Sequence, residues 1–114
     1  MPGYLTTHVL DTAQGRPASG LPITLHRLEV AERRRLAEVV TNADGRTEVP
    51  ILAADAFAPG LYELTFHAGD YLRAQGLSDA FLDTVPVRFA MTKAAHYHVP
   101  LLLSPFGYST YRGS

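Results

Sequence analysis

The sequence contains no cysteine, which excludes a disulfide framework, thiolate zinc sites, iron–sulfur clusters and a cysteine nucleophile. Charged residues make up only 18% of the chain, and 10 basic against 11 acidic residues give a formal net charge of −1. A protein that binds nucleic acid through bulk electrostatics is distinctly basic, so this balance disfavours that class. No apolar run approaches the roughly 18 residues that cross a membrane. The sequence also lacks a Gly-x-Ser-x-Gly elbow, a phosphate-binding loop and a dinucleotide fingerprint.

The length of 114 residues fits one domain, and we expect a single domain over residues 1–114. Apolar residues make up 46% of the chain, which is enough for a hydrophobic core and argues against disorder. Segment 1–8 has neither the basic nor the apolar region of a secretory signal. The final Arg-Gly-Ser differs from a Ser-Lys-Leu peroxisomal address. We therefore expect a cytoplasmic location and no membrane partner.

Proline and glycine punctuate the whole chain, with 8 and 9 copies, and no helical period extends far between them. Apolar residues instead alternate with polar ones or form short runs, which is typical of β-strands. We predict a mostly β fold of seven or eight short strands in a two-sheet antiparallel sandwich. One short helix is expected near 70–75, with Asp70 as its cap and Gly76 as its stop. The predicted strands cover 4–10, 21–28, 35–42, 60–67, 85–91, 96–103 and 106–111.

The segments that connect these strands differ in composition. Residues 11–20 have the composition of a loop, and residues 30–35 form a charged connection. Segment 32–40 also fits a short helix instead of part of a strand. Residues 42–46 predict a turn in which Gly45 supplies the positive φ.

His96 and His98 lie one residue apart in a predicted strand. Such residues share a face, with Cβ atoms about 6.5–7 Å apart, while Tyr97 between them points to the opposite face. Three interpretations are open: no role, a zinc site with a third ligand, or metal-free acid–base catalysis by imidazoles that titrate near neutrality. The candidates for a third zinc ligand are His8, His26 and His67.

His8 shares one face of its predicted strand with Tyr4, Thr6 and Leu10. This mixed surface suits a pocket or a subunit interface. Arg46 follows a turn, where an arginine usually faces solvent. If it lines a pocket, its planar guanidinium can hold an imide or ureido oxygen through two hydrogen bonds.

Three segments carry a resemblance to a known family. They are LTTHVLD at 5–11 followed by GRPA at 15–18, TNADGR at 41–46, and HYHVPLLLSP at 96–105 followed by YSTYRGS at 108–114. On these residues the chain resembles the 5-hydroxyisourate hydrolases, the transthyretin-related enzymes of urate breakdown, over essentially its whole length. The terminal Tyr-Arg-Gly-Ser and the His-Tyr-His run are the most specific parts. Phe106-Gly107 departs from the Trp-Ser often seen before the terminal tyrosine, which concerns packing more than chemistry.

The resemblance implies an eight-stranded transthyretin-like sandwich that assembles as a homotetramer, a dimer of dimers, with active sites in a channel between dimers. It implies hydrolysis of a cyclic amide bond of 5-hydroxyisourate to give 2-oxo-4-hydroxy-4-carboxy-5-ureidoimidazoline, with no metal and no organic cofactor. Water would attack with His8 or His98 as general base, and Arg46 would stabilise the oxyanion. The implied site residues are His8, Arg46 and His98 for catalysis and Tyr111, Arg112, Gly113 and Ser114 for substrate binding.

Three alternatives compete with this expectation. One is a non-catalytic carrier of the transthyretin type, in which the His8, Arg46 and His98 positions are not kept together and the terminal Tyr-Arg-Gly-Ser is absent. A second is a zinc hydrolase built on His96, His98 and a third histidine. A third is an inactive structural homologue, although the complete set of chemical residues argues against it.

Overall fold

A computed structural model describes residues 2–113 of the chain. Within these residues the chain forms two four-stranded sheets, one α-helix and one 3-10 turn at Ala54–Ala56. The elements are β1 (Tyr4–Asp11), β2 (Arg16–Pro17), β3 (Pro22–Leu28), β4 (Arg33–Val40), β5 (Gly60–Phe66), α1 (Ala68–Ala74), β6 (Val85–Met91), β7 (His96–Ser104) and β8 (Gly107–Thr110). The first sheet has the order β2-β1-β7-β8 and the second β4-β3-β5-β6. The mostly β, two-sheet architecture with one short helix is therefore confirmed.

The pairing of β1 with β7 differs from the antiparallel expectation, because these two strands run parallel, with Thr6 opposite His98 and His8 opposite Pro100. The other pairs in both sheets are antiparallel. A parallel pair cannot be closed by a tight hairpin and needs a long connection. Here the whole second sheet lies between the two strands in sequence, so the chain has ample length to return in the same direction.

The core lies between the sheets and follows from the alternation of the strands. In β1 every second residue from Leu5 is buried, and the residues between are half-exposed. Burial of each large apolar side chain contributes about 1.5–3 kcal/mol. Because the core takes one face of β1 and β7, the polar residues of the other face are left for a site. Fully buried core residues include Leu5, Val9, Ile23, Leu25, Leu64, Phe66 and Leu101.

Most strand ends differ from the prediction by one or two residues, and two connections differ in kind. β4 begins at Arg33, and its ladder with β3 runs from Pro22 opposite Val40 to Leu28 opposite Arg33, so the helical alternative for 32–40 is wrong. An edge strand exposes one side and tolerates charge, which explains how the arginines of the charged connection join a strand. The expected loop 11–20 also contains the two-residue strand β2, paired with the end of β1.

The helix begins two residues before the predicted start. Its N-cap is His67, with no side-chain cap, and Asp70 lies in the first turn, where it pairs with Arg73. The position of the helix is therefore set by burial of Tyr71 and Leu72 against the sandwich, and not by a capping side chain. Gly76 follows the helix with a φ of 70°, as the predicted stop requires. No helix within residues 2–113 is long and apolar enough to cross a membrane.

Candidate active site

The outer face of the first sheet gathers the polar residues of β1 and β7. The parallel register places Tyr4 opposite His96 and Thr6 opposite His98. His8 belongs to the same half-exposed face of β1, and Tyr97 points to the opposite, buried side. The predicted sharing of one face by the two β7 histidines is therefore confirmed, and β1 brings His8 to that face.

Arg46 reaches this face through a tight turn. Asn42 Oδ1 accepts hydrogen bonds from the backbone N–H of Asp44 at 2.9 Å and of Arg46 at 3.1 Å. Gly45 has a φ of 73°, and its carbonyl accepts from the N–H of Val9 at 2.8 Å. Arg46 then forms a β-bridge with His8. The turn thus fixes the backbone of an arginine directly beside a histidine 38 positions earlier.

The tail returns to the same strands. The Gly113 N–H donates to the carbonyl of His98 at 2.7 Å, in a second isolated bridge. A Cβ on Gly113 would lie 2.8 Å from Cδ2 of the His98 ring. The tail therefore packs closely on His98 because this position lacks a side chain. Ser114, also expected in the site, lies outside the described residues.

Arg112 and Tyr111 take other positions. The Arg112 guanidinium lies 4.5 Å from the centre of the Tyr97 ring, which belongs to the opposite face of β7 from His98. Tyr111 is 59% exposed. Both residues line an apolar cavity of about 230 Å³ together with Phe89 of β6. The structure thus brings Gly113 to His98 and leaves Arg112 on the other side of the strand.

Hydrogen bonds hold the three outer-face histidines. Nε2 of His8 donates to the carbonyl oxygen of Asp44 at 2.8 Å, so neutral His8 keeps an unprotonated Nδ1. Thr6 Oγ1 lies 2.7 Å from Nε2 of His96 and 2.8 Å from Nδ1 of His98. The His96 ring stacks on Tyr4 with centroids 4.2 Å apart. Each imidazole is therefore oriented by a specific partner.

The electrostatics of this face favour neutral imidazoles. Burial lowers the pKa of His8 from its usual value near 6.5, and the Arg46 cation adds to this, while the hydrogen bond to Asp44 partly opposes it. Burial also lowers the pKa of His98, with further lowering from Arg46, His96 and His8. Desolvation and nearby cations both disfavour imidazolium. Both rings are therefore able to accept a proton at neutral pH.

A cavity of about 170 Å³ opens beside Thr6 and Arg46, and Glu48, Val49 and Pro50 also line it. A cation at the rim and uncharged imidazoles on the adjoining face can together bind an oxygen-rich ring and accept a proton. This arrangement suits acid–base attack on a carbonyl group.

The remaining histidines lie away from this face. His26 is in β3 of the second sheet, opposite Glu63, and burial together with Arg33 lowers its pKa. His67 precedes α1 and lies 3.4 Å from Thr24 Oγ1. Residues 2–113 hold no group of three or more His, Cys, Asp or Glu side chains placed to bind a metal ion.

Sequence reasoning missed Thr6 as a functional residue. It noted that Thr6 shares a face with His8, but the bonds from one hydroxyl to two histidines depend on the parallel register of β1 with β7. No local signal in the sequence specifies that register.

Two four-stranded sheets with a polar, histidine-bearing outer face define a β-sandwich of the transthyretin type. Residues 5–113 match the sequence model of the HIUase/Transthyretin family, and the chain belongs to this family.

The named relatives include 5-hydroxyisourate hydrolases and a transthyretin. The 5-hydroxyisourate hydrolase of Mesorhizobium japonicum is 62% identical over 115 residues, covering 98% of this chain and 93% of that protein. The solved 5-hydroxyisourate hydrolase of Klebsiella pneumoniae is 36% identical with a TM-score of 0.84, covering 98% of this chain and 99% of that chain. Sea bream transthyretin, solved with thyroxine, is 28% identical with a TM-score of 0.89, covering 96% and 93% of the two chains. The identity is thus higher to the two hydrolases, at 62% and 36%, than to the transthyretin, at 28%.

Proposed function

We propose that this chain hydrolyses 5-hydroxyisourate to 2-oxo-4-hydroxy-4-carboxy-5-ureidoimidazoline, a step of urate degradation. The observation that carries the proposal is the placement of Arg46 against His8, on the sheet face that also holds His98. The 62% identity to a protein named for this activity supports it.

In this proposal His98 is the general base. Each ring has one nitrogen engaged by these bonds, Nε2 of His8 and Nδ1 of His98, and we assign the base to His98 because Thr6 also links it to His96. His98 therefore keeps its distal nitrogen for water, and its lowered pKa keeps the ring neutral at pH 7. General-base assistance contributes roughly 10²–10⁴-fold. His8, held by a backbone carbonyl, orients the substrate or the water.

Arg46 stabilises the developing oxyanion. Its guanidinium is exposed at the rim of the 170 Å³ cavity, and its fixed backbone position limits the reorganisation needed on binding. Removal of a single oxyanion donor typically costs roughly 10²–10³ in kcat. We expect Arg46 to be worth a similar factor.

The terminal residues Tyr111, Arg112, Gly113 and Ser114 bind the substrate in this proposal. The close contact of Gly113 with His98 supports this role, because it shows that the tail passes beside the proposed base. Arg112 stacks on Tyr97 in the present arrangement, so it contributes only after its guanidinium leaves that ring.

We further propose a homotetramer, a dimer of dimers, with the sites between dimers. β6 and β8 are edge strands, and an unpaired edge is a surface for pairing with another chain. Aromatic residues are exposed at and beside β8, with Phe106 at 66% and Tyr108 at 47%. The cavity beside Arg46 has a volume of about 170 Å³, below the roughly 300–1,000 Å³ of ligand pockets, so a second copy would supply its missing walls. Analytical ultracentrifugation measures the stoichiometry, and a monomer at micromolar concentration contradicts this part.

The decisive experiment is a turnover assay in the presence of a chelator. Substrate is made freshly from urate with urate oxidase, and its ultraviolet decay is followed with and without the protein. Fast decay is expected for the parent and for His67→Gln, a histidine of the second sheet, but not for His98→Gln. Decay equal to the blank contradicts the hydrolase proposal, and activity lost only with chelator supports the zinc alternative.

The carrier is the second candidate, because the chain also resembles a transthyretin solved with thyroxine. Equilibrium dialysis with thyroxine tests it on the same samples. Tight binding without turnover makes the carrier the better assignment. We keep the cytoplasmic location as a prediction from the sequence, which cell fractionation tests.

A further inference from the structure

Thr6 joins two histidines through a single hydroxyl group. We propose that Thr6 is a positioning residue that relays a proton between His98 and His96, so that His96 stores the positive charge during turnover. This proposal rests on the proposed function, in which His98 is the base. Its physical basis is the pair of contacts of 2.7 Å and 2.8 Å from one oxygen to two ring nitrogens.

The single hydroxyl proton of Thr6 restricts how the two imidazole rings can be protonated. A hydroxyl has one proton to donate and two lone pairs to accept with. It can therefore donate to one imidazole only, and the other ring must donate to it. In one state the Nδ1–H of His98 donates to Thr6, and Thr6 donates to Nε2 of His96. This state leaves Nε2 of His98 unprotonated, as a general base requires.

The balanced step follows from that state. Nε2 of His98 takes a proton from water as the hydroxide oxygen bonds to the substrate carbonyl carbon. The Nδ1 proton of His98 moves to Thr6 Oγ1, and the Thr6 proton moves to Nε2 of His96. His98 is then neutral with a proton on Nε2, and His96 is imidazolium. When the carbon–nitrogen bond breaks, His98 gives its Nε2 proton to the leaving nitrogen, and the relay reverses.

The surroundings of the two rings give this transfer a direction. Beyond burial, Arg46 most strongly disfavours a positive charge on the His98 ring, and His96 and His8 add to this. His96 instead stacks on Tyr4, with the ring planes within 6° of parallel. An aromatic face attracts a cation by about 0.5–1 kcal/mol at exposed sites and more when desolvated. The relay therefore moves the positive charge from the ring beside Arg46 to the ring that stacks on Tyr4.

The test combines Thr6→Val, Thr6→Ser and His96→Gln with a matched control, Thr24→Val. The control removes the hydroxyl of the other Thr–His contact, between Thr24 and His67 on the second sheet. Two readouts are recorded: kcat and KM across pH, and the ¹⁵N chemical shifts of the His98 ring, which report its tautomer without substrate. Thermal midpoints check that each variant folds.

We expect Thr6→Val to lower kcat by roughly 10–100-fold, part of a general-base contribution, with KM within about twofold of the parent. Thr6→Ser restores most of the rate, and His96→Gln combined with Thr6→Val is no slower than either alone. In the parent, His98 carries its proton on Nδ1, and Thr6→Val abolishes that preference. Thr24→Val changes neither readout.

A Thr6→Val protein with the parent's kcat, or His98 protonated on Nε2 in both proteins, overturns the relay. If the parent itself has no activity, the proposed function fails. The ¹⁵N shifts then still decide whether Thr6 couples the two rings. If Thr6→Val does not fold, Thr6→Ser and His96→Gln give the same comparison: a rate loss in His96→Gln with a parental rate in Thr6→Ser supports the relay, and equal rates overturn it.

Discussion

Replacing Gly45 with alanine tests whether the turn that carries Arg46 requires a residue without a side chain. Gly45 has a φ of 73°, and a Cβ there would lie 2.4 Å from the carbonyl oxygen of Val9. The left-handed conformation costs alanine about 1–2 kcal/mol. Relief of the clash must move the turn from β1 and weaken the Val9 N–H to Gly45 carbonyl bond of 2.8 Å, worth about 1 kcal/mol. We expect a total loss of about 2–3 kcal/mol in the free energy of unfolding.

Gly15→Ala is the matched control. Gly15 has a φ of 68°, but a Cβ there meets nothing within 4 Å, so only the conformational cost of about 1–2 kcal/mol applies. Urea unfolding followed by circular dichroism measures both losses, and turnover is measured in parallel. Gly45→Ala should lose roughly tenfold or more in kcat because Arg46 shifts from His8, while Gly15→Ala keeps its rate. Equal destabilisation with parental kcat in both variants would refute the reasoning.

Four further predictions concern Arg46, the pH dependence of catalysis, the Tyr71–Asp11 pair and the tail. Arg46→Ala should lower kcat by roughly 10²–10³-fold, with a change in unfolding free energy below about 0.5 kcal/mol since the side chain is exposed. The lowered pKa of His98 keeps the base neutral into mild acid, so kcat/KM should fall only as the pH drops through a midpoint below 6.5; a midpoint above 6.5 contradicts this cause. The Tyr71 hydroxyl donates to buried Asp11 and lowers its pKa. This contribution to stability is present above the unfolded pKa of Asp11 near 3.9 and is lost as the pH falls through the lower pKa of the folded state. Tyr71→Phe should therefore lower the free energy of unfolding by about 1–3 kcal/mol at pH 7 and by less at pH 3. Urea unfolding at the two pH values measures this difference. Deletion of 112–114 should lower kcat far more than the thermal midpoint, and full turnover would remove the tail from the site.

The strands were predictable because their signal is local. Alternation fixed 85–91 to the residue and placed His96 and His98 on one face, as the structure has them. The helix start was misplaced because a capping rule applied to Asp70, whereas burial of Tyr71 and Leu72 positions the helix. Propensity loses to tertiary packing in such short elements.

The assembly of the site was less predictable from the residues alone. Only the resemblance joined His8, Arg46 and His98, since their approach depends on a parallel strand pair and a long-range bridge. Neither the residue pattern nor the family resemblance predicted the contacts of Thr6 or the position of Arg112 over Tyr97. Each depends on side-chain packing between segments about 15 or 90 positions apart.

The parallel pairing of β1 with β7 also sets when activity can appear during synthesis. Thr6 and His98 are separated by 92 positions, and a ribosome adds roughly 5–20 residues per second. The first strand therefore waits roughly 5–20 s before its partner exists, with one side of its backbone unpaired. Contacts of such long range also form late in folding, because loop closure must precede them. Turnover then reports the paired strands, because His98 and Arg46 share a face only once β7 has paired with β1.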